Sequence, residues 1–279
     1  SAASDVYKRQ DLHMHSTYSD GVFTPAELME QIVKAGITVF SLTDHDTLKG
    51  LGEMAGLAKK NGLDFIPGVE LSTQMEGHQV HVLGYGIRQD DAVLASRLAQ
   101  IRAARRIRLE EIREKLRQLG IDVKVPVPPE GTRAVGRPHV ARALAEQGFV
   151  TSVEEAFELY IGEGKPAYVP QPKLTPAEAL ELIHQAGGLA VIAHPEEIKS
   201  RELASRLLRT LPFDGLEIFH PSVRTNALHE YWLTLARKLN LKITGGSDFH
   251  GLTDRFPGSL GEWRIKRDIV QDFLAEFGF

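Results

Sequence analysis

Cysteine is absent from the 279 residues, which excludes disulfides, thiolate metal sites and a cysteine nucleophile. No apolar run approaches the roughly 20 residues that a helix needs to span a bilayer. The first residues also lack the apolar core of a secretory signal, so a reducing cytoplasm is the expected compartment. Neither sign of charge dominates: 33 Lys and Arg stand against 37 Asp and Glu, for a formal net charge of −4. That balance gives no overall pull toward duplex DNA or an anionic membrane, and neither is an expected partner. What the chain does have is 42% hydrophobic residues and a length suited to one large α/β domain, or one domain carrying a smaller one. A metal would have to be held by His, Asp and Glu.

Those residue types gather first in Asp11-Leu-His-Met-His-Ser-Thr-Tyr-Ser-Asp20-Gly21. Apolar and polar residues alternate there as in a short strand, so His13 and His15 share a face and can grip one cation. Asp20 follows after a turn and can return to the same mouth as a carboxylate ligand. Residues 1–9 show neither periodicity nor motif and read as a leader foreign to the fold.

From residue 24 helix and strand alternate. Thr24-Pro25-Ala26-Glu27 is a capping box with Pro at the first helical position, and Thr175-Pro176-Ala177-Glu178 repeats it. Between and after these, apolar strands run over Ile37–Thr43, Leu63–Glu70, His78–Ile87, Leu189–Ala193, Gly215–Phe219 and Leu241–Thr244. Helices are expected over Leu48–Asn61, Asn226–Asn240 and from about Asp268. The rhythm implies a parallel sheet buried on both faces, and the number of units favours closure into a barrel. Residues 99–169 differ: a long basic amphipathic helix within Asp90–Leu119 leads to a breaker-rich loop from Val125 and helices at Arg137–Glu146 and Ser152–Ile161. The expected organisation is a barrel from 10–98 and 170–279, with 99–169 as a helical insertion.

Candidate ligands recur at strand ends: Asp44-His45, Glu70, His194, and Asp248 with His250 at the same i, i+2 spacing as His13 and His15. In α/β barrels the active site lies on the rim built from those ends. A His and carboxylate mixture of this size suits two or three divalent cations bridged by a carboxylate. Asp44 and Asp46, flanking His45, can orient ligand imidazoles or cap the loop.

The motifs Asp11-Leu-His13-Met-His15, Ser19-Asp20-Gly, Thr43-Asp-His45-Asp, Gly68-Val-Glu70, His81-Val-Leu-Gly-Tyr, Ala193-His194-Pro and Gly246-Ser-Asp248-Phe-His250 resemble, in order, those of the polymerase and histidinol phosphatase (PHP) superfamily. The insertion, with Gly136-Arg137-Pro-His139-Val-Ala-Arg142 and Gly164-Lys-Pro-Ala-Tyr-Val, is similar to its stand-alone nucleotide phosphatases. These remove the 3′-phosphate of nucleoside 3′,5′-bisphosphates, and relatives trim short 5′-phosphorylated RNA. The resemblance implies a distorted (β/α)7 barrel holding a trinuclear centre. One metal would take His13, His15, Glu70 and Asp248. A second would share Glu70 and take His81 and His194; the third would take Asp20, His45 and His250. Only the family pattern selects His81 over His78.

The expected chemistry is hydrolysis of a phosphate monoester by a metal-bridging hydroxide held by Glu70 and its neighbours. Mn²⁺ is the expected metal, with Zn²⁺ or Fe²⁺ as alternatives. His220, just past a strand, is a candidate proton donor. Arg137, His139 and Arg142 near a helix start are candidates for a second phosphate. The partner is a nucleotide or a short oligoribonucleotide; the oligomeric state stays open. Two other classes are a phosphatase of another small metabolite such as histidinol phosphate, and a non-catalytic or proofreading PHP module.

Overall fold

The computed structural model describes residues 9–126, 136–170, 173–252 and 256–279. The leader up to residue 8 and most of the loop after Val125 lie outside the described residues. The described residues fall into two compact units, one from 1–96 with 174–279 and one from 97–173.

The first unit is built around a mixed eight-stranded sheet. In chain order its strands are β1 (Arg9–Asp11), β2 (Ile37–Leu42), β3 (Asp64–Met75), β4 (His78–Tyr85), β5 (Leu189–Ile192), β6 (Gly215–Phe219), β7 (Lys242–Gly245) and β8 (Ile265–Lys266). Their order in space is β7-β6-β5-β4-β3-β2-β1-β8. Beyond β1 the chain joins the residues after β7: Leu12 N donates to Gly245 O at 3.3 Å, Asp248 N to His13 O at 2.9 Å, and His15 N to Phe249 O at 2.9 Å. That seam nearly closes the sheet into the distorted barrel expected from the sequence. Arg9 belongs to the fold rather than to a leader, since it pairs with Ile37 and its Nη1 donates to Ala35 O.

Local sequence explains the helices between strands. In α1 (Pro25–Ala35) Thr24 Oγ1 accepts from Glu27 N while Glu27 Oε2 accepts from Thr24 N, so two orphan amides are satisfied at once. The same reciprocal pair starts α6 (Pro176–Gln185). Gly36, at φ 69°, ends α1 in the left-handed region where glycine carries no Cβ penalty. Helices α2 (Leu51–Asn61), α7 (Arg201–Thr210) and α8 (Asn226–Leu239) complete the outer layer. α7 falls in a stretch to which the sequence reading assigns no element. The strands bury Leu12, Val39, Ile66, Leu83, Tyr85 and Val191 against Val270, Phe273 and Leu274 of the C-terminal segment.

The sheet is not parallel throughout, contrary to the expectation from its rhythm. β4 runs antiparallel to both β3 and β5, and β8 antiparallel to β1. No helix separates β3 from β4 to carry the chain back. The two-residue link Glu76-Gly77, at φ 50° and 80°, makes a tight hairpin instead. As a result Glu70 and His81 lie within long strands rather than at their ends. Both still reach the rim, because β2 stops beside them and His45 bridges to Glu70.

The second unit has no strand among its described residues. It contains most of α3 (Ala92–Gln118), with α4 (Arg137–Glu146) and α5 (Val153–Ala156), the last continuing as a wide turn of helix through Phe157–Ile161. Leu109, Ile112, Leu116, Val140, Leu144 and Ile161 form its own core. The Arg-rich face of α3 is partly neutralised within the helix by Arg113 to Glu110 and Arg117 to Glu114.

Candidate metal centre

The barrel mouth is assembled from the β1 exit outward. His13, His15, Glu70, His194, Asp248 and His250 are all buried there. Glu70 is the hub. Its Oε2 lies 3.1 Å from His13 Nε2, 3.2 Å from His15 Nε2 and 3.2 Å from His45 Nδ1. Its Oε1 lies 2.7 Å from His81 Nδ1 and 3.0 Å from His194 Nε2. Asp248 Oδ1 meets His15 Nε2 at 3.0 Å and His13 Nε2 at 3.3 Å. Asp20 Oδ1 lies 3.3 Å from His250 Nε2, and its Oδ2 3.7 Å from His45 Nε2.

Four groups of ligand atoms result among the described residues, each with members within 4.8 Å of one another: His13, His15, Glu70 and Asp248; His15, Asp20, His45 and His250; His45, Glu70 and His81; and Glu197, His220 and Asp248. The first reproduces the set expected for one metal. The second contains the set expected for another and adds His15. In the third His45 stands where His194 was expected, although His194 does approach the same Glu70 oxygen.

The donor set fits divalent cations on electrostatic grounds. Burial raises the pKa of Glu70, yet the imidazoles of His45, His13 and His81 outweigh it and hold the carboxyl well below its usual range. Asp248 and Asp20 are lowered in the same way by surrounding histidines. Burial disfavours a charged ring at His15, but hydrogen bonds to Asp248 and Glu70 lift its pKa to about 10. His194 rises to about 9, mainly through Glu70. Protons thus balance the carboxylates, a task that cations perform when bound. His45 differs: burial outweighs Glu70 and Asp20 and takes its pKa down to about 4. The buried Nδ1 of His45, which faces Glu70, has no hydrogen-bond partner, as suits a neutral nitrogen lone pair reserved for a metal.

Support around the ligands divides by residue. Asp44 touches no imidazole by a hydrogen bond. It accepts from Ser16 N, Ser16 Oγ and Ser19 Oγ at 2.8, 2.7 and 2.6 Å, and so braces the loop carrying His15 and Asp20. Asp46 accepts from Ser72 N at 3.0 Å, tying the His45 turn to β3. Glu217 on β6 is absent from the sequence-derived set. It is fully buried, with Oε1 3.0 Å from His13 Nδ1 and Oε2 accepting from His194 N at 2.9 Å. The signal was a lone acid inside the apolar strand Gly-Leu-Glu-Ile-Phe.

His220 is buried, with Nε2 3.5 Å from Asp248 Oδ2, and groups with Asp248 and Glu197. Ser222 N donates to its Nδ1 at 3.1 Å, which leaves the ring proton on Nε2. His78 lies outside the cluster: its Nδ1 is 2.9 Å from Ile198 O, and it is half-buried rather than exposed. Arg137, His139 and Arg142 belong to the second unit. The Arg137 guanidinium sits over Phe157 and Tyr168, with centroids 5.6 and 5.5 Å away. His139 Nδ1 accepts from Gly136 N at 3.2 Å, and Arg142 is exposed.

Known proteins share this arrangement of sequence and fold. The profile of the PHP domain matches residues 11–159. A 5′-3′ exoribonuclease of Haemophilus influenzae is 36% identical over 276 residues, covering 96% of this chain and 97% of its own. A 3′,5′-nucleoside bisphosphate phosphatase of Chromobacterium violaceum is 34% identical, with 86% of each chain covered. The crystal structure of a candidate metal-dependent phosphoesterase from Bifidobacterium adolescentis superposes with a TM-score of 0.78 at 30% identity, over 96% of each chain. With a PHP-domain profile matching more than half of its length, and relatives at 34% and 36% identity over most of it, the chain belongs to the PHP-domain family.

Proposed function

We propose that the protein is a metal-dependent phosphatase of nucleotides, removing the 3′-phosphate of nucleoside 3′,5′-bisphosphates, with short 5′-phosphorylated RNA as a second substrate. The observation that carries this reading is the convergence of imidazoles on both oxygens of one buried carboxylate, Glu70. A site so rich in His and carboxylate, with no thiol in the chain, suits two or three divalent cations, Mn²⁺ before Zn²⁺ or Fe²⁺. The names of the relatives support the substrate class.

When bound, such cations acidify water and neutralise the phosphate dianion. The protein's own residues do the remainder. Glu70, kept ionised by its histidine neighbours, aligns ligands contributed by the segments after β1 and β2, by β4 and by the turn after β5. Asp20, His45 and His250 form the outer part of the cluster, where phosphate oxygens are the natural occupants. Burial of His13, His15 and Glu70 restricts bulk water to what the reaction needs. His220 Nε2–H, beside Asp248, is the donor we assign to the leaving oxygen. We further assign Arg137, His139 and Arg142 to the selection of doubly phosphorylated substrates, since arginine forks match phosphate oxygens.

Metal analysis together with phosphate release from adenosine 3′,5′-bisphosphate, 5′-AMP, a 5′-phosphorylated RNA oligomer and histidinol phosphate tests the reading. The bisphosphate should be turned over fastest, and Arg137→Ala should erase its advantage over 5′-AMP. Turnover of histidinol phosphate alone, or a purified protein that takes up no divalent metal, would overturn it.

A further inference from the structure

Glu217 does something that no ligand of the cluster does. The carboxylate is fully buried at the back of the mouth, on β6, and both of its oxygens are engaged. Oε1 meets the Nδ1 of His13, from the β1 exit, at 3.0 Å. Oε2 accepts the backbone N–H of His194, from the β5 exit, at 2.9 Å. His13 and His194 belong to the two metal positions expected to share Glu70, one completed by His15 and Asp248 and the other by His81, and both rings do approach that carboxylate. We propose that Glu217 is a positioning residue that locks these two metal positions together from behind, so that they load as a pair. The inference rests on the metal-dependent reading above.

The chemistry on each side differs. At His13 an ionised carboxylate accepts from Nδ1–H, which fixes that proton and leaves the lone pair of Nε2, the nitrogen facing Glu70 and Asp248, for a metal to take. A ring free to shift its proton to Nε2 would lose that lone pair as a ligand. At His194 the carboxylate acts on the backbone. The residue sits at φ 25°, ψ 65°, a left-handed conformation that a histidine does not adopt without support, and its amide hydrogen bond supplies part of that support. The turn is braced on its other side by Glu196, which takes two hydrogen bonds from Arg201 and one from Trp232 Nε1. A single anion therefore sets the tautomer of one ligand and the backbone pose of another.

An amide cannot replace it. With its oxygen toward His13, the side chain of Glu217→Gln turns its NH₂ toward the His194 N–H, donor against donor. Flipped, it turns the NH₂ toward His13 Nδ1 and forces the ring proton onto Nε2. Either orientation spoils one of the two positions, and their common bridge Glu70 passes the loss to the other.

Stepwise Co²⁺ binding to the full chain, followed by competition with a chelator, by metal analysis and by the visible absorption of the ion, reads this directly. Removal of an outer hydrogen-bond partner of a ligand lowers metal affinity about 10–100-fold. Glu217→Gln should weaken two ions together by that factor and change their absorption bands. The ion held by Asp20, His45 and His250 should bind within about twofold of its original strength, on the same grounds. In a His13→Ala background, Glu217→Gln should add much less. Glu217→Asp, which keeps the charge but retracts it, covers the case in which the amide variant does not fold, and should show the same selective loss to a smaller extent. Equal weakening of every ion, or unchanged binding in both variants, overturns the inference. A wild-type protein that binds no Co²⁺ instead sinks the metal-dependent reading itself.

Discussion

At the scale of the residue, the centre is a contest between protons and cations for the same carboxylates. His15 and His194 have pKa values lifted to about 10 and about 9 by Glu70 and Asp248. In the metal-free protein both rings hold protons at pH 7.5, and a metal must displace them to reach the nitrogens. Adding Mn²⁺ to chelator-treated protein in a weakly buffered solution should therefore acidify it, and the release should shrink as the starting pH is raised toward 10. The sign for stability follows. A raised histidine pKa stabilises the metal-free fold fully below about pH 6.5, the value of the unfolded chain, and that contribution disappears as pH climbs through 9 to 10. The melting temperature of the metal-free protein should fall between about pH 6.5 and 10, whereas loaded protein, whose ligand rings carry no second proton to lose, should hold. An indicator dye and a pH series of melts check both, and metal uptake without proton release would contradict the account.

At the scale of the element, the decisive feature is the seam where the β1 exit meets the β7 exit. Gly246 lies against it so closely that a Cβ would stand 2.2 Å from His13 Cβ and 2.4 Å from its backbone N. Backbone cannot yield as a flexible side chain does. Gly246→Ala should cost about 1–3 kcal/mol as an overpacking change and should displace His13, lowering metal content as well. Gly52→Ala in α2, where nothing lies within 4 Å, should instead stabilise by about 0.5–1 kcal/mol. Equal melts for the two variants would remove the seam from its central place. Much of this was legible beforehand: capping boxes at Thr24 and Thr175, terminal glycines, and imidazoles clustered at strand ends mark an α/β barrel with a metal mouth. Strand direction was not, because a period of two reads the same along and against the chain. The reversed β4 was hidden further because the strand before it reads as ending at Glu70, whereas β3 runs on to Met75 and leaves only Glu76-Gly77 for the turn. Glu217 escaped for another reason: its neighbours on the mouth come from β1 and the turn after β5, contacts that no local pattern encodes.

At the scale of the whole molecule, the chain carries two separately cored units with unequal stakes in the metal. Every expected ligand, from His13 to His250, comes from the sheet-bearing unit, while the core of the other is drawn from residues such as Leu109, Val140, Leu144 and Ile161. A ligand that binds only the folded form stabilises it by RT ln(1 + [L]/Kd), about 2.7 kcal/mol at a hundredfold excess over Kd. That energy belongs to openings that break the site, and local openings differ in free energy across a structure. Hydrogen exchange of the intact protein, with and without Mn²⁺, should therefore separate the units. Amides at the seam, such as His15 N and Asp248 N, which bond to Phe249 O and His13 O, should exchange up to about 100-fold more slowly when the metal is present in that excess. Amides of α4, whose hydrogen bonds involve no ligand residue, should be unchanged. Uniform slowing throughout the chain would mean that the protein opens as one cooperative body, and that its helical unit shares fully in the stability the metals confer.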